Sequence, residues 1–212
     1  MKKFLALILS GIMMLSVAAC SSGQTAENEN TAGELQDFDI VLDWYPNAVH
    51  SFIYVAMEKG YYEEEGLKVN VQFPSNTNDA ISLTAAGQAD AGLYYQTNTV
   101  STAANQNIPI KVIGTVVQHP LNIVMSMGES GINGAKDLKG KTVGYPGTPD
   151  NEVFIKAMME HNGLKYEDVT MQDVGFDLNT ALITGNVDAI IGGYINHEYP
   201  TLLQEGYDVT YF

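Results

Sequence analysis

The residues of this 212-residue chain best suited to recognising a ligand are two carboxylates, its single tryptophan and several tyrosines. They fall in four short stretches: Asp43-Trp44-Tyr45-Pro46-Asn47, Tyr94-Tyr95-Gln96, Gly144-Tyr145-Pro146-Gly147-Thr148 and Gly192-Gly193-Tyr194-Ile195-Asn196-His197-Glu198. Aromatic rings offer flat apolar faces with a polar edge, and a carboxylate accepts two parallel hydrogen bonds from a planar N–H pair. That chemistry suits a planar, polar heteroaromatic molecule. Each residue also has a plain structural use. Asp43 can cap the helix that follows, Glu198 sits where a helix dipole favours an acid, and a tyrosine after a strand can be a wall residue. His50 is open between ligand donor and capping-region residue.

Other chemistries are disfavoured. His50, His119, His161 and His197 are scattered without cysteine partners, so no metal is expected. Two prolines remove donors from the Gly144–Pro149 loop, which makes it a poor phosphate cradle, and no glycine-rich loop with a following lysine occurs. No cofactor is expected. The net charge is −15, and the chain contains no arginine. Such acidity argues against nucleic acid and anionic lipid patches as partners, and is compatible with neutral or cationic ligands.

These stretches are selected by their position. Strand-like and helix-like segments alternate, which predicts an α/β fold with a mostly parallel sheet under covering helices. In such sheets ligands bind beyond the carboxyl ends of strands, where the topology switches. Strands are expected at 38–42, 69–73, 89–94, 110–117, 121–127, 141–144, 169–174, 187–191 and 208–212. Helices are expected at 47–64 with Asn47 as N-cap, from 78 or 79 to Gly87, from the third strand to about 107, and at 151–162, 178–184 and 195–204.

The chain also repeats itself. Tyr45-Pro46 recurs as Tyr145-Pro146, Gly66-Leu67-Lys68 as Gly163-Leu164-Lys165, and Gly87-Gln88-Ala89-Asp90 as Gly185-Asn186-Val187-Asp188, at offsets of 100, 97 and 98. Three matches in one order predict two similar lobes with a ligand between them, 38–120 and 121–212. The chain ends inside a strand pattern, as expected of a fragment whose return to the first lobe would need about 100 further residues.

The amino terminus reads as a processing segment. Lys2 and Lys3 precede an apolar stretch, and Val17-Ala18-Ala19-Cys20 is a small-residue exit ending on the only cysteine. Residues 1–19 are expected to be a lipoprotein signal peptide and Cys20 the acylated residue that anchors the chain in membrane lipid. Residues 20–37, polar with little to bury, are expected to be a flexible tether.

Leu42-Asp43-Trp44-Tyr45-Pro46-Asn47, with His50 and Glu58 to Leu67 behind it, resembles the NMT1/THI5-like solute-binding proteins. Gly193-Tyr194-Ile195-Asn196-His197-Glu198 narrows the likeness to the ThiY type, although many of those carry a larger aromatic where this chain has Ile195. The resemblance runs from about Phe38 to the end. It implies a type II periplasmic-binding fold and a lipoprotein receptor that passes an aminopyrimidine thiamine precursor to an ABC transporter permease. It places Trp44, Asn47, Tyr145, Tyr194 and Glu198 near the ligand. With Asp43, His50, Tyr95 and Asn196 these make the expected contact set. The same superfamily contains fungal pyrimidine synthases that consume a histidine aligned with His50, so an enzyme is the alternative reading. A receptor for another planar aromatic solute is a further one.

Overall fold

The computed structural model describes residues 34–212, so the expected leader and Cys20 lie outside the described residues. Two sheets organise the chain. The first holds β1 (Gln36–Val41), β2 (Leu67–Gln72) and β3 (Ala91–Gly92) in the order β2-β1-β3, all parallel. The second holds β4 (Asn122–Met127), β5 (Thr142–Tyr145), β6 (Thr170–Asp173), β7 (Ala189–Tyr194) and β8 (Val209–Tyr211) in the order β6-β5-β7-β4-β8. There β5 runs parallel to β6 and β7, while β4 is antiparallel to β7 and β8. Helices α1 (Ser51–Glu58), α2 (Tyr61–Glu64), α3 (Asp79–Ala85) and α4 (Gln96–Gln106) accompany the first sheet. Helices α5 (Pro149–His161), α6 (Leu178–Ile183) and α7 (Glu198–Gln204) accompany the second.

The sequence repeat is a repeat of structure. In β2-β1-β3 and in β6-β5-β7 the strand that comes first in the chain lies between the next two. The recurring aspartate fastens each unit. The Asp90 carboxylate accepts the Asp39 backbone N–H at 2.8 Å, and the Asp90 N–H donates to the Asp39 carbonyl at 2.9 Å. Asp188 does the same with Thr142, at 2.8 and 2.9 Å. The recurring glycine ends the preceding helix. Gly87 and Gly185 stand at φ +68° and +71°, a left-handed conformation that costs glycine little.

Apolar side chains close each sheet against its helices. Leu42 and Ile53 lie in the first cluster; Val143, Ile155, Met159 and Ala189 pack one face of the second sheet, and Met125, Leu178, Leu182, Ile190 and Leu202 the other. All of β7 is buried, as suits an interior strand covered on both faces.

Several elements differ from expectation. Residues 110–117 are not a strand: Ile113 is 90% exposed, and β-branched residues without an edge to pair with remain extended chain. The single helix expected over 47–64 is three pieces: a 3-10 turn at Ala48–His50, then α1 and α2, broken at Gly60 with φ +73°. The strand expected over 89–94 is only two residues long, Ala91–Gly92. The strand expected over 121–127 is present as β4, inside the second sheet.

Candidate functional site

The loop after β1 carries Asp43, Trp44, Asn47 and His50, and its shape follows from local capping. Asn47 caps the 3-10 turn: its side-chain oxygen accepts from the Val49 N–H at 2.9 Å and its amide donates to the Tyr45 carbonyl at 3.0 Å. His50 is fully buried. Its Nδ1 accepts from the Asn47 N–H at 3.2 Å, so the ring proton resides on Nε2, which faces Asp43 Oδ1 at 2.8 Å. Both ring nitrogens are thereby occupied, and Asp43 is a partner of His50 rather than a helix cap.

Trp44 crosses to the second sheet's side. Only 4% exposed, it packs with Ile123, Met125 and Leu178, and its indole N–H donates to Glu198 Oε1 at 2.9 Å. The other carboxylate oxygen of Glu198 accepts the Tyr194 backbone N–H at 2.6 Å. Gly193 makes room, since a Cβ there would lie 3.3 Å from that of Glu198. Burial raises the Glu198 carboxyl above the ordinary value of 4.5, against the opposing pull of the Tyr194 N–H, His197 and the Trp44 indole. Each oxygen retains a second lone pair, because a carboxylate accepts about four hydrogen bonds.

Tyr94, Tyr95 and Tyr194 gather beside Asp43 and Asp150. Burial raises all three phenols, Tyr94 to about 12, with Asp43 adding to each. Asp150, buried in the first turn of α5, accepts from Asn98 of α4 at 3.0 Å, a second link between the two sheets' sides. Tyr145 is not part of this gathering: its hydroxyl donates to Glu152 at 2.6 Å, and its ring packs on the Val143–Ile155 cluster. Asn196 lies in the turn between β7 and α7 with its side-chain oxygen buried and unpaired.

A cavity of about 210 Å³ opens beside this clasp, lined by Trp44, Tyr45, Phe176, Asn179, His197 and Glu198 among others. Phe176 meets Trp44 edge-on, with centroids 4.6 Å apart, and Tyr45 at 5.3 Å. Sequence reasoning did not single out Phe176, Asn179, Asn98 or Asp150. The strand-end rule, applied to β6 as it was to β5 and β7, leads directly to Phe176.

Comparison with known proteins accords with this architecture. The family model described as NMT1/THI5 like matches residues 47–212. The formylaminopyrimidine-binding protein of Halalkalibacterium halodurans is 44% identical over 210 residues, 99% of this chain and 61% of that protein. The 4-amino-5-hydroxymethyl-2-methylpyrimidine phosphate synthase of Uromyces fabae is 33% identical over 72% of this chain and 45% of its own length. The chain thus spans between two fifths and two thirds of the length of these relatives. The alkanesulfonate-binding protein SsuA of Xanthomonas axonopodis pv. citri has the same fold, with a TM-score of 0.65 at 15% identity over 85% of this chain and 61% of that one. The Escherichia coli periplasmic aliphatic sulphonate binding protein gives 0.61 at 19% identity, over 82% of this chain and 59% of its own. The fold is therefore that of the periplasmic binding proteins, and the chain belongs to the NMT1/THI5-like family.

Proposed function

We propose that this chain is the ligand-holding part of an ABC importer's substrate-binding lipoprotein, and that its ligand is an aminopyrimidine thiamine precursor of the formylaminopyrimidine type. The chain is exported and anchored through acylated Cys20, and its closed form docks on the permease. The observation that carries this reading is Glu198: a carboxylate 4% exposed, fixed by Trp44 and Tyr194, with spare lone pairs beside the aromatic cavity. An exocyclic amino group and a protonated ring nitrogen present two parallel donors to such an acid. The 44% identity to a formylaminopyrimidine-binding protein supports the same ligand class.

The kinship to pyrimidine phosphate synthases keeps a histidine-consuming enzyme as the second reading. The setting of His50 favours binding without chemistry, since the ring is enclosed and both nitrogens are bonded. The test is a calorimetric titration of the full chain with formylaminopyrimidine, followed by intact-mass analysis after incubation with ferrous iron. Saturable binding with unchanged mass is expected. No binding, or mass loss localised to His50, contradicts the proposal.

A further inference from the structure

Asn179, in the first turn of α6, carries an amide that the fold does not use. Its side chain is half-buried and lines the same cavity as Glu198. The side-chain oxygen is enclosed without a hydrogen-bond partner. The amide nitrogen is not enclosed, and it makes no hydrogen bond among the described residues. A polar atom enclosed without a partner costs stability, so its retention calls for a use beyond the fold. The other polar groups on this wall are engaged, of the opposite kind or exposed. The Trp44 indole N–H donates to Glu198, and His197 Nε2 lies 3.6 Å from the same carboxylate. The carboxylates of Glu198 and Asp177 only accept. Tyr45 and Thr180, which bring hydroxyls, are both exposed. The Asn179 amide is therefore the half-buried neutral donor beside a buried acid. A formylaminopyrimidine offers N–H donors on its amino group, its protonated ring nitrogen and its formamide, and the acceptor on its arm is the formyl oxygen.

We propose that Asn179 selects a formylated arm: its amide N–H donates to the formyl oxygen while Glu198 holds the ring. The inference rests on the aminopyrimidine reading above and adds the group that tells one precursor from another. A hydroxymethyl arm stops short of the carbonyl and leaves the amide unanswered.

Two probes with the same ring and different arms test it on the full chain: the 5-formamidomethyl and 5-hydroxymethyl forms of 4-amino-2-methylpyrimidine, titrated calorimetrically at neutral pH. The formyl probe is expected to bind about twofold to tenfold tighter, the range of one neutral hydrogen bond. That preference should vanish in Asn179→Ala and in the isosteric Asn179→Asp, which replaces the amide nitrogen with an oxygen. Because the Asn179 oxygen has no partner in the fold, ligand-free Asn179→Ala should melt no lower than the unaltered chain, a readout that a purely structural role would move. Equal binding of both probes by the unaltered protein, a preference that survives in either variant, or a lower melting temperature for Asn179→Ala overturns the assignment and leaves the aminopyrimidine reading standing. Failure of both probes to bind the unaltered protein overturns the two together.

Discussion

Glu198 concentrates the chemistry at the residue scale, because it is buried, doubly hydrogen-bonded and still able to accept more. In the proposed complex it receives a charge-assisted pair of bonds, so Glu198→Gln should weaken aminopyrimidine binding by about 1.5–3 kcal/mol, measured by calorimetry. Unaltered affinity would remove Glu198 from the site. The same residue predicts a pH dependence of stability. Its folded-state pKa lies above the unfolded value near 4.5, so the folded state binds its proton more tightly than the unfolded chain does. Its contribution is therefore fully present below about pH 4.5 and is lost as pH rises through the raised folded value. The Gln variant lacks that loss, so its melting temperature relative to the unaltered protein should climb from pH 4.5 towards neutrality. A constant difference across that range would show that burial does not perturb Glu198.

At the scale of elements, the repeated Gly-x-x-Asp segments read as punctuation for the fold rather than as ligand-binding motifs. Each aspartate ties its loop to the first strand of its unit with two hydrogen bonds. Asp90→Ala and Asp188→Ala should each cost about 0.5–1.5 kcal/mol in urea unfolding, because one bond of each pair is lost at a partly solvated site. Such local signals were legible in advance. The Asn47 cap, the helix-ending Gly87 and Gly185 and the alternating order of strands and helices each express a backbone preference that a short window carries. Residues 110–117 were misread because β-branched composition records suitability for a sheet but not whether an edge is within reach. The site was legible only in part for a similar reason. Trp44 and Glu198 stand 154 residues apart in sequence, and the strand-end rule put each just beyond the carboxyl end of a strand, one in each sheet. That Trp44 would bond Glu198, that His50 would bond Asp43, and that Tyr145 would turn to Glu152 depended on packing that no local pattern encodes. Phe176 escaped because β6 was read only as a strand, without asking what its exit would face.

At the scale of the molecule, two side-chain links among the described residues join the sides of the two sheets: Trp44 to Glu198 and Asn98 to Asp150. Trp44 is also the only tryptophan, so its emission reports on the clasp. Trp44→Phe keeps most of the apolar bulk but removes the N–H, leaving Glu198 Oε1 short of a buried donor. The expected result is a stability loss of about 1–3 kcal/mol in urea, with aminopyrimidine affinity reduced as well. Full stability in that variant would mean that the indole–carboxylate bond does not hold the two sides together. The central claim is that an aminopyrimidine occupies the groove between the strand ends and pairs with Glu198. A crystal structure of the full chain grown with formylaminopyrimidine tests it most directly. The account predicts the ring against Trp44, Tyr45 or Phe176, with its amino group about 3 Å from the Glu198 carboxylate. A ligand seated elsewhere, with no contact to Glu198, would contradict it.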